Sequence, residues 1–273
     1  MNYKYEDCYV RNIGLFTQEQ QNRLREAKVV VAGVGGVGGI EAATLAKMGI
    51  GELTIFDPGI FDEPDMNRQI GALASNLGRN KATSTAELLM EINPFIKLNV
   101  LETPPRTDEE LDHLLEGASA AIDAIDYIGF DYKAQFAQAV RRAGIFNFTA
   151  PISGLGTVMI ILDPDGMTLE RLYDAPDDES KWAKHKIPLD QLLGRERFGG
   201  LVTDMLEGRR SYLSNCAGIA TLNGGLVASE IAMLITGLRS KDELICAPQG
   251  VYIDLLRRVF EVYDLKDSDN HGK

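Results

Sequence analysis

Four glycines near the start of the chain have the spacing of a phosphate-binding turn. Residues 29 to 40 read VVVAGVGGVGGI, in which Gly33, Gly35, Gly36 and Gly38 form G-x-G-G-x-G. Glycines allow a tight turn and a close approach of phosphates to the backbone, and a helix that begins there offers its N–H donors. Asp57 ends the next strand-like segment, where an acid can hold a ribose hydroxyl. Alone, this pattern favours an NAD- or FAD-dependent enzyme.

Basic and amide side chains after Asp57 change that interpretation. Asn67, Arg68 and Gln69 are followed by Lys81, near the start of a predicted helix. A pyrophosphate cradled by backbone needs no further cations, whereas a nucleoside triphosphate has extra charge to neutralise during phosphoryl or adenylyl chemistry. The added cations therefore favour a triphosphate.

Two carboxylates end another strand-like segment, SAAIDAID. Asp123 and Asp126 lie at its carboxyl end, which in an open α/β sheet lines the ligand crevice. A carboxylate at that position can hold Mg²⁺. We expect Asp126 to be the metal carboxylate and Asp123 to be a structural acid that bonds loop amides.

These residues require a Rossmann-like α/β fold. Strand patterns at 28–33, 52–57, 96–101, 119–126 and 145–151 alternate with helix patterns at 36–49, 75–92, 107–117 and 131–144. The alternation predicts a doubly wound, mostly parallel sheet. Residues 156–162 follow a strand after only a short loop, so we expect an antiparallel extension that 251–264 completes.

The remaining segments predict one domain over residues 1–273. Residues 1–27 form an N-terminal arm and helix, and 266–273 a disordered tail. Residues 163–213 are rich in charge and glycine and hold the only tryptophan. We expect them to be a variable, partly mobile excursion on the substrate side, with one or two short helices.

Composition excludes several classes of protein. The 273-residue chain has a formal net charge of -12, which argues against a broad nucleic-acid or membrane surface. Its three cysteines are far apart and lack a C-x-x-C pair, so a four-cysteine zinc site is excluded and a reduced cytoplasmic setting is expected. The apolar stretch 216–237 is interrupted by polar residues and is interpreted as a buried helix, not a membrane span.

The order of these motifs resembles the ThiF/MoeB/HesA family, relatives of the ubiquitin-activating enzymes. GxGGxG, Asp, N-R-Q, G-x-x-K, N-P and D-x-x-D follow one another over about residues 8–160, with a weaker match over 214–262 and none over 163–213. The resemblance implies an enzyme that uses ATP and Mg²⁺ to adenylate a carboxylate, usually the C-terminal glycine of a ubiquitin-like protein.

The resemblance also implies roles for single residues. It places the four glycines in the nucleotide loop and Asp57 on the ribose. Arg11, in YVRNIG, matches an arginine that reaches the ATP of the neighbouring subunit, which implies a homodimer. The other implied roles are triphosphate contacts for Asn67, Arg68 and Gln69, a phosphate contact for Lys81 and the magnesium ligand for Asp126.

The chain departs from the family pattern at several positions. The zinc-binding cysteine pairs of the family are missing, so no zinc is expected. Tyr127 and Asp131 stand where members have an asparagine and an arginine, and Lys133 is the available substitute for that arginine. Asn12 replaces a glutamine after Arg11. These changes concern the substrate more than ATP.

The leading hypothesis is a homodimeric adenylyltransferase that acts on a ubiquitin-like protein or a small peptide. An ATP-dependent dehydratase or peptide-modifying enzyme of the same fold is the first alternative, although the acidic charge argues against a nucleic-acid partner. An NAD-dependent oxidoreductase and a nucleotide-binding scaffold without chemistry are the others. Cys216 precedes a predicted helix, where some relatives have a reactive cysteine; we interpret it as structural.

Overall fold

The computed structural model describes residues 4–127, 129–193 and 200–266. Its helices and strands alternate through the first half of the chain, as the sequence predicts. In chain order they are α1 (Tyr5–Cys8), α2 (Gln18–Glu26), β1 (Lys28–Ala32), α3 (Gly38–Met48), β2 (Glu52–Phe56), α4 (Lys81–Ile92), β3 (Lys97–Leu101), α5 (Asp108–Leu115), β4 (Ala120–Asp123), α6 (Phe130–Arg142), β5 (Asn147–Thr149), β6 (Ile152–Ser153), β7 (Gly156–Leu162), α7 (Leu169–Leu172), α8 (Leu189–Leu193), α9 (Leu201–Leu206), α10 (Ala217–Thr236), β8 (Gln249–Asp254) and β9 (Val259–Asp264).

The strands of the described residues form one sheet in the order β3-β2-β1-β4-β5-β7-β8-β9, and the short β6 pairs with β7. Strands β3, β2, β1, β4 and β5 are parallel, whereas β7, β8 and β9 are antiparallel additions. The predicted sheet and its antiparallel extension are therefore confirmed. The strand order reverses between β1 and β4, and ligands of such sheets bind at the carboxyl ends of the strands beside that point.

After Lys28, strand β1 is apolar from Val29 to Ala32, because both faces of this part of the strand are covered. Val29 and Val31 belong to the core that α3, α4 and α10 form on one side of the sheet. Val30 and Ala32 belong to the smaller core under α5 and α6 on the other side. Successive side chains of a strand point to opposite faces, so a strand between two helical layers has no polar positions.

Helix α10 is the apolar stretch that the sequence predicts over 216–237. By length and composition alone it is the one helix of the described residues that could cross a membrane, and 50% of its most apolar window is buried inside the fold. It packs along α3 so closely that a Cβ on Gly224 would lie 3.0 Å from Ile40. Its buried Asn223 donates to the carbonyl of Ala150 at 2.8 Å. The small and polar residues of α10 thus serve packing within the protein.

Several predicted elements are longer than the observed ones, and two of them show why. The strand predicted over 119–126 ends at Asp123, where the chain turns into a loop that leads to α6. The helix predicted over 75–92 begins only at Lys81, where the side chain of Asn80 accepts from the Thr83 amide at 3.1 Å. Gly78 precedes this cap with a φ of +80°, which a continuous helix cannot include.

Residues 163–213 contain more helix than the sequence predicts. The described part holds α7, α8, α9 and a 3-10 turn at Glu179–Lys184. These segments bury their apolar side chains in a cluster of their own, in which Trp182 packs edge-on against Phe130 at a centroid distance of 5.8 Å. Helices of four to six residues are too short to show a 3.6-residue period, which is why the sequence predicted one or two short helices without locating them.

The predicted tail and the N-terminal arm lie at the two ends of the chain. Of the predicted tail 266–273, only Lys266 is described, and its ammonium lies 2.6 Å from Asp174; residues 267–273 lie outside the described part. In the N-terminal arm, the Asn12 amide donates to the carbonyl of Met48 at 3.1 Å and to Gln21 at 3.0 Å. Asn12 thereby anchors the arm to α2 and to the end of α3.

Candidate active site

A cleft of about 830 Å³ opens at the carboxyl ends of the parallel strands, beside the point where the strand order reverses. This is a common volume for a small-molecule site. The residues predicted from the sequence that line it are Gly33, Gly35, Gly36, Asp57, Arg68, Gln69, Lys81 and Asp126. Gly38 lies just behind them as the first residue of α3, and Asn67 and Arg11 lie elsewhere.

The glycine loop is shaped by close backbone contacts. Gly33 has a φ of +91°, and a Cβ there would lie 2.6 Å from the carbonyl oxygen of Ala124. A Cβ on Gly38 would collide with the carbonyl oxygen of Gly33. These two positions therefore accept only glycine, and they bring the loop and the first turn of α3 against the end of β4. Gly35 and Gly36 lie on the cleft side of this turn.

Asp57 holds the glycine loop in place. Its Oδ2 accepts from the Val34 amide at 2.9 Å, and its Oδ1 accepts from the Gly59 amide at 2.7 Å. A carboxylate has about four acceptor sites, so both oxygens keep capacity for a further hydrogen bond. The carboxylate lines the cleft, and contact with a ribose hydroxyl stays a prediction for it.

A buried carboxylate that the sequence analysis did not single out gathers the predicted cations. Asp65 is 6% exposed, and its Oδ2 lies 2.9 Å from the Lys81 ammonium. Its Oδ1 accepts a short hydrogen bond from Gln69 and lies 3.8 Å from an Arg68 nitrogen. Its position three residues before Arg68 and four before Gln69, in a turn that begins with Asp62, was the available signal.

The charge of Lys81 keeps this carboxylate ionised. Burial alone would raise the pKa of Asp65, but the hydrogen bond and the positive charge of Lys81, with the amide of Asp62, outweigh it and lower that pKa. The result is an ionised carboxylate that fixes an ammonium and a guanidinium beside the glycine loop. Arg68 reaches the loop itself, since its Nε would lie 3.0 Å from a Cβ on Gly36.

Asn67 connects this group to a distant segment. Its amide nitrogen donates to the carbonyl of Asn215 at 2.9 Å, and its amide oxygen accepts from Arg68 at 2.9 Å. Asn215 lines the cleft just before α10, and Cys216 is the residue that precedes the first turn of that helix. Asn67 thus braces Arg68 from outside the cleft, and a direct phosphate contact stays a prediction.

Asp126 also lines the cleft, from the loop after β4. It is exposed, and its Oδ1 accepts from the Tyr127 amide at 2.7 Å. Within the described residues no three His, Cys, Asp or Glu side chains converge as a metal cage. Mg²⁺ is usually held by one or two carboxylates together with substrate phosphates and water. A lone exposed carboxylate facing a phosphate site fits that donor set.

Two buried ionisable residues, Asp123 and Lys133, line the same cleft as Asp126, and Glu41 lies close to them. Lys133 and Asp123 form an ion pair of 2.7 Å, with side chains 5% and 0% exposed. Burial raises the pKa of Asp123, which Lys133 and the Ile125 amide oppose. Glu41 on α3 is 1% exposed, and burial, with the nearby charge of Asp123, raises its pKa to about 8. The sequence analysis expected Asp123 as a structural acid and did not identify Glu41.

The outer wall of the cleft comes from the segment without family motifs. Residues of 163–213 that line it are mainly apolar or aromatic: Tyr173, Ile187, Leu189, Leu192, Tyr212 and Leu213. Tyr212 is 59% exposed, so part of this wall faces the entrance. The cleft therefore has two regions of different chemistry. One is this apolar wall, and the other is the polar floor of Asp57, Arg68, Gln69, Lys81 and Asp126.

Arg11 does not line the cleft of its own chain. It is exposed in the 3-10 turn Val10–Asn12, and the apolar side chains around it are also exposed. Val10 is 59%, Ile13 43% and Leu15 68% exposed. Apolar side chains clustered around a cation on one arm are typical of a surface that another chain covers.

The fold belongs to a known class of nucleotide-binding α/β proteins. The profile of the ThiF family matches residues 9–270, and the chain belongs to that family. The resemblance predicted from the motifs is therefore confirmed.

Relatives and solved structures match the chain over different extents. A tRNA threonylcarbamoyladenosine dehydratase of Haemophilus influenzae is 35% identical over 126 residues, 45% of this chain and 48% of that protein. A SAMP-activating enzyme E1 of Haloferax volcanii is 32% identical over 161 residues, 58% of each. The chain thus spans about half the length of these curated relatives.

Among solved structures, MccB of E. coli with ATP superposes with a TM-score of 0.70 at 17% identity, covering 100% of this chain and 76% of that one. At this identity the likeness concerns the fold, and it confirms the predicted architecture.

Proposed function

We propose that this protein is an ATP- and Mg²⁺-dependent adenylyltransferase that activates a carboxylate. The observation that carries the proposal is the grouping of Arg68 and Lys81 around Asp65 at the glycine loop, with Asp126 lining the same cleft. A dinucleotide site needs the loop and the acid after β2 but not this second set of charges. Both the family and the site therefore favour a triphosphate.

The proposed reaction joins two anions. A carboxylate oxygen of the substrate attacks the α-phosphorus of ATP, the bond from that phosphorus to the bridging oxygen breaks, and pyrophosphate leaves. Lys81 and Arg68 would offset the repulsion and stabilise the charge that develops on the leaving pyrophosphate. Mg²⁺ held by Asp126 would neutralise phosphate charge when bound. A carboxylate is already ionised at neutral pH, so no general base is required.

The acyl substrate is proposed to be a small peptide or the C-terminus of a small ubiquitin-like protein. Structures of MccB are described in complex with N-formylated MccA, and the Haloferax relative is named for activating SAMP. In this chain the apolar wall from 163–213 would hold the substrate next to the polar floor. An extended peptide end fits such a region better than a folded surface would.

We also propose a homodimer in which Arg11 enters the partner's cleft. Arg11 is exposed, lies outside its own cleft and is surrounded by exposed apolar side chains. Covering Val10, Ile13 and Leu15 would remove apolar surface from water while bringing a cation to an acidic protein's phosphate site. The three cysteines are free thiols, which suits a reducing cytoplasm.

A dehydratase that activates a carboxylate on a modified tRNA base is the second candidate. It is favoured by the 35% identity to the Haemophilus enzyme. The net charge of -12 counts against a tRNA surface.

The test is ATP–pyrophosphate exchange with labelled pyrophosphate, run separately with short peptides, a small protein ending in Gly-Gly and tRNA. We expect exchange that depends on both Mg²⁺ and a peptide carboxylate, and its loss when that carboxylate is amidated. Exchange only with tRNA would select the dehydratase. Tight ATP binding without exchange on any of the three would leave a scaffold and contradict the proposal.

A further inference from the structure

The carboxylate of Asp126 is oriented almost entirely by its own backbone. It is exposed, and it accepts a hydrogen bond from the amide of its neighbour Tyr127 at 2.7 Å. In the described residues no side chain from another element holds it. Its direction in the cleft therefore depends on how firmly the loop between β4 and α6 is held.

The Lys133–Asp123 pair holds the backbone of Ile125, the residue that precedes Asp126. Oδ1 of Asp123 accepts from the Ile125 amide at 3.2 Å, and the Lys133 ammonium donates to the Ile125 carbonyl at 3.3 Å. The two side chains are joined at 2.7 Å. Both polar groups of Ile125 are thus bonded to one buried ion pair.

This pair joins β4 to α6, and a backbone hydrogen bond joins the start of the loop to β1. Asp123 is the last residue of β4, and Lys133 lies in the first turns of α6, where its own amide donates to the Gly129 carbonyl at 3.0 Å. The Ala124 amide donates to the carbonyl of Ala32 at 2.9 Å, which ties the start of the loop to β1. The loop is held from the strand side and from the helix side immediately before Asp126.

Stability alone does not explain two charges in this position. Buried ion pairs are costly to desolvate, and apolar residues of similar volume often replace them without loss of stability. Oδ2 of Asp123 also has no hydrogen-bond partner among the described residues, so the pair is not fully satisfied. A buried ion pair with this cost in free energy, among the residues that line the cleft, points to a positioning role.

We propose that Lys133 and Asp123 are positioning residues that fix the Ile125 peptide and thereby present the Asp126 carboxylate to the metal–nucleotide complex. The inference rests on the proposed function for the metal but not for the geometry of the loop. Two of the three ammonium donors of Lys133 already have partners, and its side chain is 5% exposed. Lys133 lines the cleft, but its ammonium is held by these two contacts, so we assign it an indirect action on the nucleotide.

The experiment compares Lys133→Met with wild type by two measurements. The first is amide hydrogen exchange at Ile125 and Asp126 without nucleotide, with the β2 amides as reference. The second is binding of Mn²⁺ together with a non-cleavable α,β-methylene ATP analogue, followed by electron paramagnetic resonance. Lys28→Met is the control, because the Lys28 ammonium also donates to backbone carbonyls, those of Leu114 and Glu116, but at the other end of β1 and away from the loop.

We expect Lys133→Met to exchange faster at Ile125 and to bind Mn²⁺ at least about tenfold more weakly, the usual range for a residue that orients a metal ligand. Lys133→Arg should recover part of both effects. Asp126→Asn should weaken Mn²⁺ binding without changing exchange at Ile125, and Lys28→Met should change neither. If Lys133→Met does not fold, the Asp123→Asn/Lys133→Met double variant removes both charges and is measured in its place.

Two results would overturn the inference. One is a folded variant with unchanged exchange and unchanged Mn²⁺ affinity. The other is weaker binding of the analogue without metal and unchanged exchange, which would make Lys133 a direct phosphate ligand. If wild type itself holds no Mn²⁺–nucleotide complex, the proposed function fails. Exchange at Ile125 then decides by itself whether the pair holds the loop.

Discussion

Asp65 and Lys81 form an ion pair of 2.9 Å at the edge of the glycine loop, with side chains only 9% and 16% exposed. The two residues belong to different elements, a 3-10 turn and the first turn of α4. Their contact converts a surface lysine into a fixed cation at the proposed triphosphate site. A cation fixed before the reaction needs no reorganisation in the transition state.

Removal of either cation is expected to reduce adenylation strongly. Arg68→Ala and Lys81→Ala should each lower kcat/KM by roughly a hundredfold or more, because each removes charge that stabilises the leaving pyrophosphate. Lys97→Ala, an exposed lysine on β3, is the control and should keep full activity. Pyrophosphate exchange measures all three. Wild-type exchange in both Arg68→Ala and Lys81→Ala would show that the site lies elsewhere.

Lys81→Ala should also destabilise the fold more than Arg68→Ala does. Without Lys81 the buried Asp65 carboxylate loses its nearest cation, whereas Arg68 lies at 3.8 Å and is more exposed. Leaving a buried charge without its partner typically costs about 3–5 kcal/mol. Urea unfolding of the two variants measures the difference. Asp65→Asn/Lys81→Ala should regain much of the loss, and equal destabilisation by both single variants would count against the pairing.

Nucleotide choice is the next expectation. ATP with Mg²⁺ should bind and NAD should not, because the cleft carries cations beyond those that a dinucleotide needs. Isothermal titration with each ligand under the same conditions decides the question. Tighter binding of NAD than of ATP would contradict the proposed function, whatever the Arg68 and Lys81 variants show.

If Arg11 of one subunit acts in the cleft of the other, two inactive variants should complement each other. Arg11→Ala and Lys81→Ala should each be inactive, and their mixture should recover activity, since each mixed dimer has one cleft with both residues intact. Random assortment makes half of the dimers mixed, so recovery should approach about a quarter of wild type if sites are independent. Subunit exchange is verified by mass spectrometry. If subunits exchange and the mixture stays inactive, Arg11 acts in the cleft of its own chain or takes no part in the reaction.

Glu41 should make the stability of the protein depend on pH. Its pKa is about 8 in the folded chain, raised from the usual 4.5 by burial and by Asp123 and lowered in part by Lys133. Between pH 4.5 and about pH 8 the folded chain holds a proton on Glu41 that the unfolded chain has lost. The contribution of Glu41 to stability is therefore complete below pH 4.5 and is lost as pH rises through 8. The free energy of unfolding should fall by about 1.4 kcal/mol per pH unit in that window.

Glu41→Gln tests this directly, because glutamine is the uncharged isostere. The difference in unfolding free energy between variant and wild type, measured by urea titration from pH 5 to 8, should grow as pH rises. Glu91→Gln, an exposed glutamate on α4, should show a constant difference and serves as the control. A constant difference for Glu41→Gln would mean that its carboxyl is ionised in the fold despite burial.

The sequence determined the features that depend on local chemistry. The G-x-G-G-x-G loop and the acid after β2 have their roles in a strand–turn–helix unit, and only glycine can adopt the backbone contacts of Gly33 and Gly38. Alternating periods of strand and helix predicted a doubly wound, mostly parallel sheet, and the apolar run 29–32 predicted a strand covered on both faces. Arg68 and Lys81 could be recognised as cations of the site since they follow that unit at a defined position.

Only the tertiary structure decided which groups hold these residues in place. Asp65 becomes an anchor because α4 brings Lys81 back to it, and the burial of Glu41 depends on the packing of α3 against the sheet and α10. The sequence offered Lys133 as a substitute for a missing arginine, but its contact with Asp123 and Ile125 requires α6 to lie across the end of β4. Such contacts join residues with no fixed spacing along the chain. They depend on how rigid elements pack, and a periodic pattern in the sequence does not encode that packing.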